Sequence, residues 1–227
     1  MARDHECDLC QHEEHSIVEE LICHVPYTGF ALALAFVLLS VVQFMGRCIP
    51  NADQVREGYG VLFHTFHYLH IVVAVTGAVV MFFRFSRKWV SGILVALLVP
   101  TVFCILSDIV LPSVAVRLLG ISMEMHICFC EWHDGANLIA FMLIGLLCGL
   151  ALLQNRSSLY VFSLASHFMH ILASSMAAVF YAVAHGFDRW YEVPGILFVL
   201  LFIAVVIPCT LSDVVVPLYV ARMRGGK

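Results

Sequence analysis

Long apolar segments alternate with short polar ones along this chain. Six of them are long enough to cross a hydrocarbon layer of ~30 Å as a helix, the one chain conformation that satisfies its own backbone in lipid. They are approximately Val25–Gly46, Val61–Phe85, Gly92–Val116, Ala136–Leu153, Leu159–Ala184 and Gly195–Val220. The pattern therefore predicts an all-α membrane protein with six transmembrane helices.

The polar segments between the apolar ones predict the topology. Four connections are short, at 51–58, 84–88, 154–158 and 188–192, whereas 120–135 is longer and rich in His and Cys. With a cytoplasmic N-terminus, the outer side holds only Arg47, Arg56, Arg117 and Arg189 among the 12 Lys and Arg residues. Because basic residues favour the cytoplasmic side, both termini are expected to be cytoplasmic in a multi-pass protein of the cell membrane.

Composition supports a lipid environment. Hydrophobic residues make up 62% of the 227, charged residues only 12%, and the mean hydropathy is +0.95. A formal charge of −4 argues against nucleic acid as a partner. The nine Cys form an odd set that does not suggest a disulfide framework. The first twenty residues are acidic and polar, so no cleavable signal peptide is expected.

Two sequence motifs recur in the same order in each half of the chain. Residues 104–117 read CILSDIVLPSVAVR and residues 209–222 read CTLSDVVVPLYVAR. Earlier in each half, residues 67–71 read HYLHI and residues 167–171 read HFMHI. Two matches in the same order predict a duplicated three-helix unit. Since three crossings are an odd number, the second copy is expected to be inverted, as in many transporters.

The duplication divides the chain into four parts. Residues 1–24 form a cytoplasmic tail, rich in His, Cys and acidic residues, and a lead-in helix. Residues 25–119 form the first repeat, and residues 120–135 an outer His- and Cys-containing loop with its lead-in. Residues 136–227 form the second repeat.

Ionisable residues inside the apolar segments are the candidates for function. The only carboxylates there are Asp108 and Asp213, one in each repeated motif. A charge at membrane depth costs at least ~2.5–3.5 kcal/mol, so such groups face a partner, a cavity or an ion. The alternative is a helix-to-helix hydrogen bond. Histidines three residues apart share a helix face, and imidazole is a common ligand of transition metals.

Depth along the helices predicts two related metal sites, each completed by a histidine from the other repeat. Three His and one carboxylate suit Zn, Fe, Mn or Cu ions. The outer site comprises His67, His70, Asp108 and His133, and the inner site comprises His167, His170, Asp213 and His24.

Other residues near these positions are candidate accessory ligands. Cys104 and Cys209 precede each Asp by four residues and are either soft ligands or, as is commoner in membrane helices, small packing residues. The remaining accessory candidates beside the two sites are His64, Glu20 and Glu131. Two further clusters lie outside the apolar segments: Cys7, Cys10, His12 and His15, and His126, Cys128 and Cys130. They have zinc-type ligands at unusually tight spacings. The alternative is a flexible tail and a disulfide-forming loop.

These features favour a metal-ion transporter over an enzyme. No phosphate-binding loop, nucleophile elbow or dinucleotide fingerprint is visible in the sequence. A membrane metalloenzyme or a b-type cytochrome is the second hypothesis, with haem held by two axial histidines such as His70 and His133. A homo-oligomer, or a subunit of a larger membrane complex, is the third.

Overall fold

The computed structural model describes residues 17–49, 51–123, 125, 132–154 and 156–225. Within these, the side chains at 17–20, 23, 132, 133, 156–165, 213, 224 and 225 are left out of the description.

Helices account for nearly all of this part of the chain. In order they are α1 (Ile17–Gly46), α2 (Ala52–Phe85), α3 (Trp89–Ile105), α4 (Leu111–Leu118), α5 (Trp132–Gln154), α6 (Arg156–Ala184), α7 (Pro194–Thr210) and α8 (Val216–Gly225). A short 3₁₀ turn at Trp190–Glu192 precedes α7. The predicted all-α class is confirmed for the described residues.

Two of the predicted connections are in fact largely helical. Helix α2 begins at Ala52, inside the predicted connection 51–58, because the Asn51 side chain accepts a hydrogen bond from the backbone N–H of Asp53 at 2.9 Å. This cap satisfies one of the free N–H groups at a helix start and lets a polar turn precede the apolar segment. Helix α6 likewise begins at Arg156, within the predicted connection 154–158.

Glycine ends two of the helices. Gly120 has φ +81° and Gly186 has φ +106°, a left-handed conformation that side chains with a Cβ rarely adopt. The backbone N–H of the residue after each glycine reaches back five residues, from Ile121 to Val116 and from Phe187 to Ala182. These bonds close the ends of α4 and α6.

The outer surface of the helices is apolar, as a lipid-facing surface requires. Five helical stretches in the described residues are long and apolar enough to cross a membrane: His24–Gly46, Ala52–Phe85, Trp89–Leu118, Asp134–Gln154 and Ser166–Ala184. Large side chains such as Phe44 and Val90 are 71% and 74% exposed. Since a soluble protein rarely exposes so many large apolar groups, these features indicate a multi-pass membrane protein.

The sixth predicted span corresponds to α7, a shorter apolar helix of 17 residues. Helix α7 leads directly into a π-helical turn, Leu211–Val215, and then into α8. Helix α3 has the same continuation, through the π-helical turn Leu106–Val110 into α4.

Both π-helical turns fall on the repeated LSD motif. The N–H of Leu111 bonds to the carbonyl of Leu106, and that of Val216 to the carbonyl of Leu211, each spanning five residues. Proline follows immediately in both cases, at 112 and 217, and has no N–H to continue the regular ladder. Single π-helical turns of this kind are often found at functional sites.

Helix α2 lies at the centre of the bundle and packs against α3, α5 and α6, while α1 packs against α6 and α7. Ring contacts show that α2 and α6 are antiparallel, since Phe63 lies beside Tyr181 and His70 beside His170. Helices α2 and α5 are parallel, because Tyr68 stacks on Phe141 and Val79 lies against Gly149.

Helices α1 and α6 are also parallel. His24 contacts His167 near the middle of α6, and Gln43 near the end of α1 bonds to the carbonyl of Asp188, just beyond the end of α6. It follows that α1 is antiparallel to α5, as α2 is to α6. The first helix of each half therefore packs on the second helix of the other half, α1 on α6 and α5 on α2. The two first helices run in opposite directions, and so do the two second helices.

Close approach of α5 to α2 depends on two glycines. A Cβ at Gly149 would lie 2.6 Å from the Cβ of Val79, and one at Gly145 would lie 2.8 Å from the carbonyl oxygen of Val72. Glycines four residues apart are a frequent contact surface between membrane helices, because they let the backbones meet. The Thr76 hydroxyl uses this proximity to donate to the carbonyl of Gly145 at 3.0 Å.

We expect Gly149→Ala to destabilise the protein, because an added methyl must displace the Val79 side chain. Overpacking of this kind costs about 1–3 kcal/mol. The matched control is Gly60→Ala on α2, where nothing lies within 4 Å of an added Cβ. Thermal unfolding in detergent should show a lower midpoint for Gly149→Ala only; equal midpoints for the two variants would contradict the close contact between α2 and α5.

Candidate metal centre

A buried carboxylate organises the polar interior of the bundle. Asp108 lies in the π-helical turn after α3 and is fully buried. Its Oδ2 accepts hydrogen bonds from the Nδ1 atoms of His67 and His70 on α2, at 2.8 and 2.7 Å. The two histidines are one turn apart on α2, so one oxygen can accept from both.

The second oxygen of Asp108 is bound by hydroxyl groups. The Oγ atoms of Ser107 and Ser174 donate to Oδ1 at 2.7 and 2.8 Å, and Ser174 belongs to α6. Asp108 thus accepts four hydrogen bonds from side chains of α2, α6 and its own turn. Bonds to an ionised acceptor are about twice as strong as neutral ones, which makes a carboxylate tolerable in an apolar bundle.

This arrangement sets the orientation of both imidazole rings. A neutral histidine that donates from Nδ1 has its lone pair on Nε2, the form in which imidazole binds a metal. Metal-binding histidines usually have their other ring nitrogen held by a carboxylate in this way. Asp108 therefore presents the Nε2 of His70 as a ligand atom and is not itself placed as one.

The Nε2 of His70 faces ligand atoms from both halves of the chain. The Nε2 of His170 lies 3.1 Å away, with the two rings nearly perpendicular at 85°. The Sγ atoms of Cys104 and Cys209 lie 3.5 and 3.8 Å from the same nitrogen. The ligand atoms of His70, His170 and Cys209 are all within 4.8 Å of one another. All four side chains are buried, so water is excluded from the cluster.

The three distances from the Nε2 of His70 are close to those between ligand atoms in a tetrahedral metal site. With zinc bonds of about 2.0–2.1 Å to nitrogen and 2.3 Å to sulfur, two nitrogens lie about 3.3 Å apart and a nitrogen and a sulfur about 3.6 Å apart. The observed separations from the Nε2 of His70 are 3.1, 3.5 and 3.8 Å. The group of His70, His170 and Cys209 can therefore hold a metal ion. Together with Cys104, whose Sγ lies 3.5 Å from the Nε2 of His70, it is called the central cluster below.

The structure corrects the expected division into an outer and an inner site. The depth argument places His70 and His170 on opposite sides, yet their rings touch. The depth estimate is wrong because it begins helix 2 at Val61, whereas α2 extends back to Ala52 and α6 to Arg156. Both histidines are therefore close to the middle of their helices.

A contact expected between the two halves, that of His24 with a histidine of the second half, is present outside the central cluster. The ring of His24 on α1 lies edge-on to that of His167 on α6, with 5.1 Å between centroids. His64 lies one turn before His67 on α2, stacks on Tyr68 and is not in the central cluster. Sequence reasoning favoured a packing role for Cys104 and Cys209, yet their Sγ atoms lie 3.5 and 3.8 Å from the Nε2 of His70. The signal for this proximity was the Cys four residues before each Asp.

Several predicted ligands lie outside the description of the structure. For His133, Asp213 and Glu20 the backbone is described and the side chain is not. The others fall outside the described residues altogether: Cys7, Cys10, His12, His15, His126, Cys128, Cys130 and Glu131.

No known protein family, characterised protein or solved structure matches this chain.

We expect Asp108→Asn to weaken metal binding about 10–100-fold, the usual effect of removing a carboxylate that holds a ligand histidine. The amide has no charge and one acceptor oxygen in place of two, so it holds the imidazole Nδ1–H groups less firmly. Competition against a colorimetric chelator measures the affinity. Asp53→Asn, at an exposed position in the first turn of α2, is the control. An unchanged affinity for Asp108→Asn would show that Asp108 does not hold a ligand histidine.

Proposed function

We propose that this protein is a membrane transporter of a soft transition-metal ion, which it binds at the central cluster. The observation that carries the proposal is the group of three buried ligand atoms, from His70, His170 and Cys209, that lie within 4.8 Å of one another. Cys104, whose Sγ is 3.5 Å from the Nε2 of His70, is the fourth ligand in this proposal.

The set of ligands narrows the choice of metal. Thiolates with imidazoles favour zinc or copper(I), whereas manganese prefers oxygen ligands. Two thiolates also neutralise a divalent ion, so the charge of the ion is balanced where the surroundings are apolar. Zinc is therefore the first ion to test and copper(I) the second.

We further propose that the chain consists of two inverted three-helix repeats and six spans. The opposite directions of α1 and α5, and of α2 and α6, support this arrangement. The two π-helical turns on the same LSD motif support it independently. Ion sites of inverted-repeat transporters lie near mid-membrane at the interface of the repeats.

The origin of the four ligands supports transport rather than permanent storage. His70 and Cys104 come from the first half, and His170 and Cys209 from the second. A rocking movement that separates the halves leaves two ligands on each side, and a two-ligand site holds metal less tightly than a closed four-ligand site. The buried cluster then corresponds to an occluded state, with release following separation.

A b-type cytochrome is less well supported by this geometry. An iron between two axial nitrogens in line separates them by about 4 Å, with a porphyrin between the rings. The Nε2 of His70 has another imidazole at 3.1 Å and two thiols nearby, so a haem has no room at this face.

Protein purified without chelator is expected to contain one zinc or copper ion per chain and no haem absorption. Elemental analysis should show that Cys209→Ser and His170→Asn each lose most of this metal, because three ligands hold it less tightly than four. The control is Cys148→Ser, which changes an exposed cysteine on α5. A metal-free wild-type protein, with the two imidazoles bonded to each other, would refute the proposed site.

Transport is tested separately in liposomes. Vesicles with purified protein and an internal fluorescent zinc indicator should accumulate zinc faster than empty vesicles, and those with Cys209→Ser should accumulate it at the background rate. The reason is that, without the Cys209 thiolate, the second half of the chain offers the ion only His170, so the occluded four-ligand state is not completed. Metal bound stoichiometrically without any uptake would leave a static metal site and refute transport.

A further inference from the structure

His67 has a buried nitrogen that the central cluster does not use. Its Nδ1 donates to Asp108 at 2.8 Å, and its side chain is fully buried. The Nε2 of the same ring is also buried and has no hydrogen-bond partner among the described residues. With the proton on Nδ1, this Nε2 has a lone pair, and no donor among the described residues bonds to it.

An unsatisfied buried acceptor has a cost. Leaving such a group without a partner forfeits its hydration with no compensating bond, so native proteins rarely keep one without a use. If His67 served only to bond Asp108, a residue without a second ring nitrogen would do so without this penalty. The same carboxylate oxygen thus prepares two imidazoles for metal binding, and only that of His70 belongs to the central cluster.

His67 has an equivalent in the second half of the chain. His67 precedes His70 by three residues as His167 precedes His170. Because α2 and α6 are antiparallel, the two histidines lie on opposite sides of the central cluster along the membrane normal. Three residues of α-helix rise about 4.5 Å, so each is one short step from the centre. His167 in turn contacts His24 of α1.

We infer that His67 and His167 are transient metal ligands, one on each side of the central cluster, which take the ion as it leaves or approaches His70 and His170. This inference rests on the proposed function and assigns a path for the same ion. Each step exchanges one imidazole for another, so no bare ion has to cross apolar surroundings. The resting protein still holds one ion, at the centre.

The test uses His67→Asn and His167→Asn in the full-length protein. The amide nitrogen of an asparagine takes roughly the place of Nδ1, so the His67→Asn variant keeps a donor for Asp108 and lacks the second ligand nitrogen. The control is His185→Asn near the end of α6, where the Nδ1 bonds to the carbonyl of Tyr181 at 2.9 Å. Zinc content, zinc affinity and the initial rate of zinc uptake into liposomes are measured for each variant.

Both variants are expected to keep one zinc per chain at wild-type affinity and to transport it at least about tenfold more slowly, a barrier higher by about 1.4 kcal/mol. Equal uptake by His67→Asn and wild type would overturn the inference and leave the proposed function intact. Loss of bound zinc from either variant would overturn it by making that residue part of the central site. Absence of uptake by the wild type would overturn both proposals. If His67→Asn unfolds, its equivalent His167→Asn decides by the same criteria.

Discussion

The interior of this bundle depends on one constraint: a carboxylate buried among apolar helices needs hydrogen-bond donors on every side. Asp108 receives four, from His67, His70, Ser107 and Ser174. These bonds tie α2 and α6 to the turn after α3 and set the rotation of two imidazoles. Because the rings are held from Nδ1, the Nε2 of His70 is directed to the place where His170 and the thiols meet. The hydrogen bonds that satisfy one buried charge thus also orient the histidine at the candidate metal centre.

The π-helical turn Leu106–Val110 positions Asp108 for these hydrogen bonds. A regular α-helix through the LSD motif would turn Asp108 to a different direction relative to Cys104, four residues earlier. Pro112 also has no N–H to continue the regular series of backbone hydrogen bonds. The wider turn accommodates both effects, so that Asp108 reaches the histidines while Cys104 stays 3.5 Å from the Nε2 of His70. Helix α5 packs closely on α2 at Gly145 and Gly149.

Much of the candidate site was predictable from residue types and spacing. Histidines three apart on one helix, and an Asp at a matching depth on the next, predicted that His67, His70 and Asp108 lie together, as they do. The role of each side chain was not predictable. Asp108 was expected to bind metal directly and instead accepts hydrogen bonds from His67 and His70. The thiols of Cys104 and Cys209, expected to be packing groups, lie beside the Nε2 of His70. Distances between helices decide such roles, and no spacing within one helix contains them.

The sequence by itself determined the class of this protein and its repeated motifs, because hydropathy and periodicity are local properties of the chain. Helix lengths were less certain, since caps such as Asn51 extend helices beyond their apolar parts. Only the tertiary structure decided that His70 and His170 share one centre. That result requires α2 and α6 to cross at mid-length in opposite directions, which depends on the packing of all the helices together.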